Sequence, residues 1–237
     1  MPEESTAPRQ SPIAPRAIGQ QFDERGHAGA EHLDAAFVAK FDEKMPTDWG
    51  GEIAALLALG VGPTSTVVDL GAGTGTFAQA IAGCVSRCVA VDVSEAMVTT
   101  MRARGVRAVH AGFLTYQHEG EPPDAVFTSN AMHHLPDFWK AVALERVGDM
   151  LRPGGVLRLR DFVYSFEPGE ADQVFAAWLD QEVAQGWTVH DLNEHILGEH
   201  STFTWLLEPM LERAGFEIHE RSVREDRLHA VYTCIRR

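Results

Sequence analysis

Val67-Val68-Asp69-Leu70-Gly71-Ala72-Gly73-Thr74-Gly75-Thr76 decides how this chain folds. The apolar run from Thr66 to Leu70 reads as a short buried strand. It enters a loop with glycine at 71, 73 and 75, where the backbone can turn sharply and approach a ligand closely. A helix from about Thr74 to Ala82 follows, and its free N–H groups favour polar or anionic ligand groups. Ligands of an open α/β sheet sit outside the carboxyl ends of the strands, so this loop marks the ligand edge.

Outward from the loop, strands and helices alternate. Cys88 to Val91 reads as a second strand, and Ser94 caps a helix through Arg104. Val106 to Val109 is a third strand and Asp124 to Thr128 a fourth. A helix from Asp137 to Met150 stops at Pro153-Gly154-Gly155, and Val156 to Val163 is a fifth strand. Such alternation predicts a parallel sheet covered on both faces. Ahead of it, Ile18 to Asp42 has helical spacing, and Thr47 or Asp48 caps a helix to about Leu59. Behind it, Glu167 to Gln185 reads as a helix, while Trp187 to Ser201 has no clear pattern. A last helix leads to Gly215, with Pro209 expected in its first turn or at a kink. Phe216 to Arg221 and Leu228 to Ile235 are expected to pair antiparallel.

The 237 residues suit one domain, at 45% hydrophobic and 23% charged. A formal net charge of -14 disfavours phosphate backbones and anionic membranes, so nucleic acid is not the expected partner. Cys84, Cys88 and Cys234 form neither a disulfide framework nor a zinc set. No apolar run has the ~18–20 residues of a membrane span, and the Pro-rich start has no signal-peptide core, so a cytoplasmic protein is expected. The expected division is a disordered tail over 1–17, a helical cap over 18–62 and a ligand-binding domain over 63–237, within which 164–202 forms a lid insert.

Two acids narrow the ligand. The dinucleotide fingerprint G-x-G-x-x-G would need glycine where Thr76 stands. Asp69, two residues before the first glycine, is a poor neighbour for a pyrophosphate. It suits a ligand carrying ammonium and sulfonium charge, such as S-adenosylmethionine (SAM). Asp92, at the end of the second strand, suits hydrogen bonds to both ribose hydroxyls.

With these residues in place, the chain resembles the class I SAM-dependent methyltransferases, a group that includes quinone-biosynthesis and natural-product enzymes. Val67 to Phe77 and Val89 to Met97 resemble the first two family motifs. Ala111-Gly112-Phe113, Asp124 to Pro136 and Leu151-Arg152-Pro153-Gly154-Gly155 resemble the later ones. The resemblance implies a Rossmann-like, seven-stranded, mostly parallel sheet with the last strand antiparallel, and a small-molecule methyl acceptor. It places Asp69, Gly71, Ala72, Gly73 and Gly75 on the methionine end of SAM and Asp92 on the ribose. Val93 and Met97 would pack on the adenine, Gly112 and Phe113 would border it, and Asn130 and Ala131 would face the sulfonium. Family members more often carry Asp where Phe113 stands.

On the acceptor side, His133 and His134 follow the fourth strand and Asp161 lies near the end of the fifth. Each reads as a general base or acceptor contact, or else as support for its loop. His190, His195 and His200 are five apart, whereas ligands on one helix stand three or four apart, so no metal is expected. His195 or His200, with Glu194 or Glu199, could reach the site from the lid. Tyr164, Phe166, Trp178, Trp187, Phe203 and Trp205 either line an apolar acceptor pocket or join the insert to the domain. Rival readings are a protein or RNA methyltransferase and a non-catalytic SAM-binding module.

Overall fold

The computed structural model describes residues 22–45 and 47–237; the expected tail lies outside them. The described part of the expected Ile18–Asp42 helix is broken into short turns. These are 3-10 turns at Arg25–His27 and Glu31–Leu33, then α1 (Ala35–Val38) and α2 (Phe41–Lys44). Gly29, at φ 78°, leaves helical geometry. Asp34 then starts a new helix by accepting from the N–H groups of Ala36 and Phe37. α3 (Gly50–Ala58) begins where Asp48 Oδ1 accepts from Gly50 N at 2.9 Å.

The sheet comprises β1 (Thr66–Leu70), β2 (Arg87–Asp92), β3 (Ala108–His110), β4 (Ala125–Ser129), β5 (Val156–Tyr164), β6 (Thr202–Phe203), β7 (Phe216–Val223) and β8 (His229–Arg236). Its order is β3-β2-β1-β4-β5-β8-β7, with β6 beside β5. β1 pairs parallel with β2 (Val67 opposite Cys88) and with β4 (Val67 opposite Ala125). β8 is antiparallel to both β5 and β7. This is the expected mostly parallel sheet with an antiparallel last strand, extended by an eighth strand. Two residues are too few to carry a period-2 pattern, so β6 left no signal in the sequence.

Helices cover both faces. They are α4 (Thr76–Ile81), α5 (Glu95–Ala103), α6 (Asp137–Met150), α7 (Ala171–Ala184), α8 (Val189–Gly198) and α9 (Thr204–Arg213). Alternate residues of β1 feed opposite cores, as a strand's period of two requires. Val68 and Leu70 join Val126, Leu157, Leu144 and Val147 on one face. Val67 joins Phe77, Ile81, Phe127 and Leu56 on the other. There Phe77 stacks on Phe127 at 3.7 Å between centroids, and Trp49 meets both edge-on.

The segment without a clear pattern is α8. Pro209 stands inside α9, beyond its first turn. Burial of Leu207 and Leu211 on that helix offsets the backbone hydrogen bond a proline cannot make. The insert's aromatics Tyr164, Phe166, Trp178, Trp187 and Phe203 pack with Leu192 and Leu228 in a satellite core of their own. Trp205 is exposed.

Candidate active site

The chain reverses its direction of travel across the sheet between β1 and β4, and crevices for ligands form at such switch points. The glycine loop leaves β1 there. Gly71, Gly73 and Gly75 have φ of 70°, 55° and 81°. Side chains would also collide at two of them: a Cβ on Gly71 would lie 2.3 Å from the Ala131 methyl, and one on Gly75 2.7 Å from Met101 Cγ. The N–H groups of Gly71 and Ala72 donate to Val91 O, which binds the loop to the end of β2.

Asp92 sits at that strand end. Its Oδ2 accepts from Gly73 N and its Oδ1 from Ser94 N, both at 2.8 Å. Each oxygen keeps a further lone pair. Burial raises the Asp92 pKa, against the pull of those two N–H groups. Asp69 is 2% exposed, and its Oδ2 has no hydrogen-bond partner. Burial, and then the charge of Asp92, push its pKa well above the carboxylate range. An orphaned buried carboxylate oxygen behind a glycine loop fits a cationic ligand group. An acid with both oxygens at the loop mouth fits a vicinal diol. The residues present therefore suit SAM.

Met97 is buried, and Ser94 Oγ caps its N–H as expected. Val93 offers its carbonyl to His110 Nε2. Asn130 is held at φ 49°, with Oδ1 buried and unpartnered. Phe113 lies in the main core, and its ring edge stands 3.7 Å from where a Gly71 Cβ would be.

Residues before the first strand press on this edge. Trp49 Nε1 donates to Thr76 Oγ1 at 3.0 Å, and Asp42 bonds Thr74 Oγ1 and Arg104. Ser94 Oγ donates to His32 O. Glu24 accepts from Leu114 N at 3.0 Å, and its carboxylate lies 2.5 Å from where a Gly112 Cβ would stand. Burial lifts the Glu24 pKa to about 7. Sequence reading missed Glu24, because nothing local links it to a segment 90 residues away.

A second cluster lies past β4. Asp161 accepts from the N–H groups of Met132, His133 and Phe162 and from His133 Nδ1. Its carboxylate is fully occupied in holding this turn. His133 Nε2 lies 3.1 Å from Glu199 Oε2, and His195 Nδ1 is in close contact with the same oxygen. Burial favours neutral His133, but Asp161 and Glu199 outweigh it and hold its pKa at about 10. His134 is driven the other way, to about 3, by burial and by the charge on His133. Its Nδ1 has no hydrogen-bond partner. Buried Lys140 ties the cluster down, donating to Leu135 O, Asp137 and His200 O. Of the lid residues considered from sequence, His195 and Glu199 reach this cluster. His190 is exposed, and His200 packs against His27 instead. The signal for the pair was their i, i+4 spacing, which sets two side chains on one helical face.

Residues 67–155 match the model of the methyltransferase domain family. The chain is 28% identical over 153 residues to an uncharacterized methyltransferase of Mycobacterium bovis, spanning 56% of this chain and 76% of that one. It is 34% identical over 114 residues to the demethylmenaquinone methyltransferase of a Mycobacterium species, spanning 48% of each. The fold matches the cyclopropane synthase MmaA2 of Mycobacterium tuberculosis at a TM-score of 0.61 and 15% identity, over 78% of this chain and 83% of that one. The family match lies on the glycine loop, the strand-end acid and the β4 segment, so residues 67–155 of this chain form a methyltransferase domain.

Proposed function

We propose that the protein transfers the methyl group of SAM to a small-molecule acceptor held between the sheet edge and the insert. The observation that carries this reading is the acid pair at the glycine loop: Asp69 with a buried, unpartnered oxygen, and Asp92 anchored by Gly73 and Ser94. Asp69, Gly71, Ala72, Gly73 and Gly75 would hold the methionine end and Asp92 the ribose. Val93, Met97, Gly112 and Phe113 would surround the adenine, and Asn130 and Ala131 would face the sulfonium. Bound there, SAM supplies an electrophilic methyl on a good leaving group. The chain's own task is then alignment of the acceptor, which can contribute roughly 7–11 kcal/mol.

In this reading His133, held by Asp161 at its backbone and at Nδ1, contributes position rather than a base. His134 is the neutral imidazole with a free ring nitrogen, and it receives a hydrogen bond from the acceptor. Asp161 is a positioning residue that acts through His133. The cap over 18–62 shelters the cofactor, its described part through Glu24, His32, Asp42 and Trp49. The insert over 164–202 walls the acceptor side. A small-molecule acceptor is supported by the likeness to demethylmenaquinone methyltransferase and by the net charge of -14, which repels phosphate backbones.

The test is incubation with SAM carrying a deuterated methyl group and a small-molecule extract of the source organism, followed by mass spectrometry. A labelled small molecule that disappears with Asp92→Ala is expected. SAM binding without turnover, with protein and RNA also supplied, would favour a non-catalytic module. Failure to bind SAM would end the reading.

A further inference from the structure

The second cluster does more than brace a turn. One nitrogen each from His133 and His195 and one oxygen from Glu199 lie within 4.8 Å of one another. We propose that these three side chains form a site for one divalent transition metal, zinc in the first instance, that pins the insert to the sheet edge. The proposal does not rest on the methyl-transfer reading.

The donor chemistry selects the metal class. Two imidazoles and a carboxylate suit zinc and its neighbours, whereas calcium and magnesium take oxygen donors. One pair of the set has near-tetrahedral spacing, and the closer contact of His195 Nδ1 with Glu199 Oε2 would open around an ion. Bonds of about 2.0–2.1 Å in a tetrahedron hold donor atoms roughly 3.3–3.5 Å apart. His133 Nε2 and Glu199 Oε2 stand 3.1 Å apart, and His134 Nδ1 stands 3.8 Å from Glu199 Oε1 beside the set.

Hydrogen bonding leaves the cluster incomplete. Glu199 Oε2 and His195 Nε2 are buried without a hydrogen bond, although ring nitrogens crowd that carboxylate oxygen. Buried polar atoms left in this way call for another partner. Asp161, by contrast, is bound to His133 Nδ1, so it fixes the ring and aims Nε2 at Glu199. A carboxylate behind a ligating imidazole is the usual orienting partner in metal sites.

The scaffold is already rigid. His200 N donates to His133 O at 2.9 Å, Lys140 binds His200 O, and β6 pairs with β5 just beyond. Three protein ligands leave one coordination position open, as in catalytic zinc sites. The expectation of no metal came from spacing within one segment. The fold instead draws ligands from the turn after β4 and from α8 with the residue after it.

The test titrates chelator-treated full-length protein with zinc chloride by calorimetry, and with cobalt(II) by visible absorption. One equivalent of zinc and cobalt bands of a four-coordinate nitrogen and oxygen site are expected. His195→Ala and Glu199→Gln should each weaken zinc binding at least about tenfold. His190→Ala, on the exposed side of the same helix, should leave it unchanged. Circular dichroism and SAM binding, measured on each variant, certify folding independently of the metal. No stoichiometric uptake by the wild type would overturn the site. So would uptake that survives both His195→Ala and Glu199→Gln.

Discussion

Asp92 and Glu24 show what a single carboxylate can be asked to do in this molecule. Asp92 accepts from the backbone of the glycine loop and of the α5 cap together. Asp92→Ala therefore removes two hydrogen bonds to a charged group, each about 1.5–3 kcal/mol. SAM affinity by calorimetry should fall by at least about tenfold, with the loop amides losing protection from hydrogen exchange. Glu24 is harder to ionise in the fold than in the open chain, its pKa rising from 4.5 to about 7. Its stabilising contribution is then complete below pH 4.5 and is lost as pH rises through about 7. Relative to Glu24→Gln, the wild type should lose stability over that window, as urea midpoints measured at several pH values will read. A flat difference between the two would mean that Glu24 ionises freely.

At the level of elements, the glycine loop and the turn after β4 are built against each other. Gly71 has both a left-handed φ and a methyl from Ala131 in the space of its missing side chain. Gly71→Ala should cost about 1–3 kcal/mol from the backbone alone. It should also push the β4 turn outward, so that the melting temperature and SAM affinity fall together. A variant with a lowered melting temperature and intact affinity would separate the loop from the cofactor. The two elements could be found in sequence because each is local: a strand, a glycine loop and a helix in order. The broken cap could not be found this way. Its apolar residues keep helical spacing, but Gly29 and the Asp34 cap divide it, and its anchors are distant partners such as Ser94, Thr74 and Leu114.

Over the whole molecule, charge and layering set the partners. Twenty basic against 34 acidic residues leave the surface repulsive to phosphate. Fluorescence anisotropy with labelled duplex DNA or single-stranded RNA should show no saturable binding, even at low salt. Binding that weakens steeply with added salt would instead reveal a basic track the net charge conceals. Among the described residues no helix is long and apolar enough to cross a membrane.

The succession of strands and helices around β1, the glycine loop and its acids were set by local sequence, because period, glycine and strand-end carboxylates express themselves within a few residues. Tertiary structure alone decided which distant groups meet. It brought Glu24 to Gly112, Trp49 to Thr76, and His195 and Glu199 to a histidine braced by Asp161. It also turned the insert's aromatics into a core of their own. The physical reason is that periodicity reports a side chain's face on its own element, whereas partners across elements are chosen by packing the whole chain.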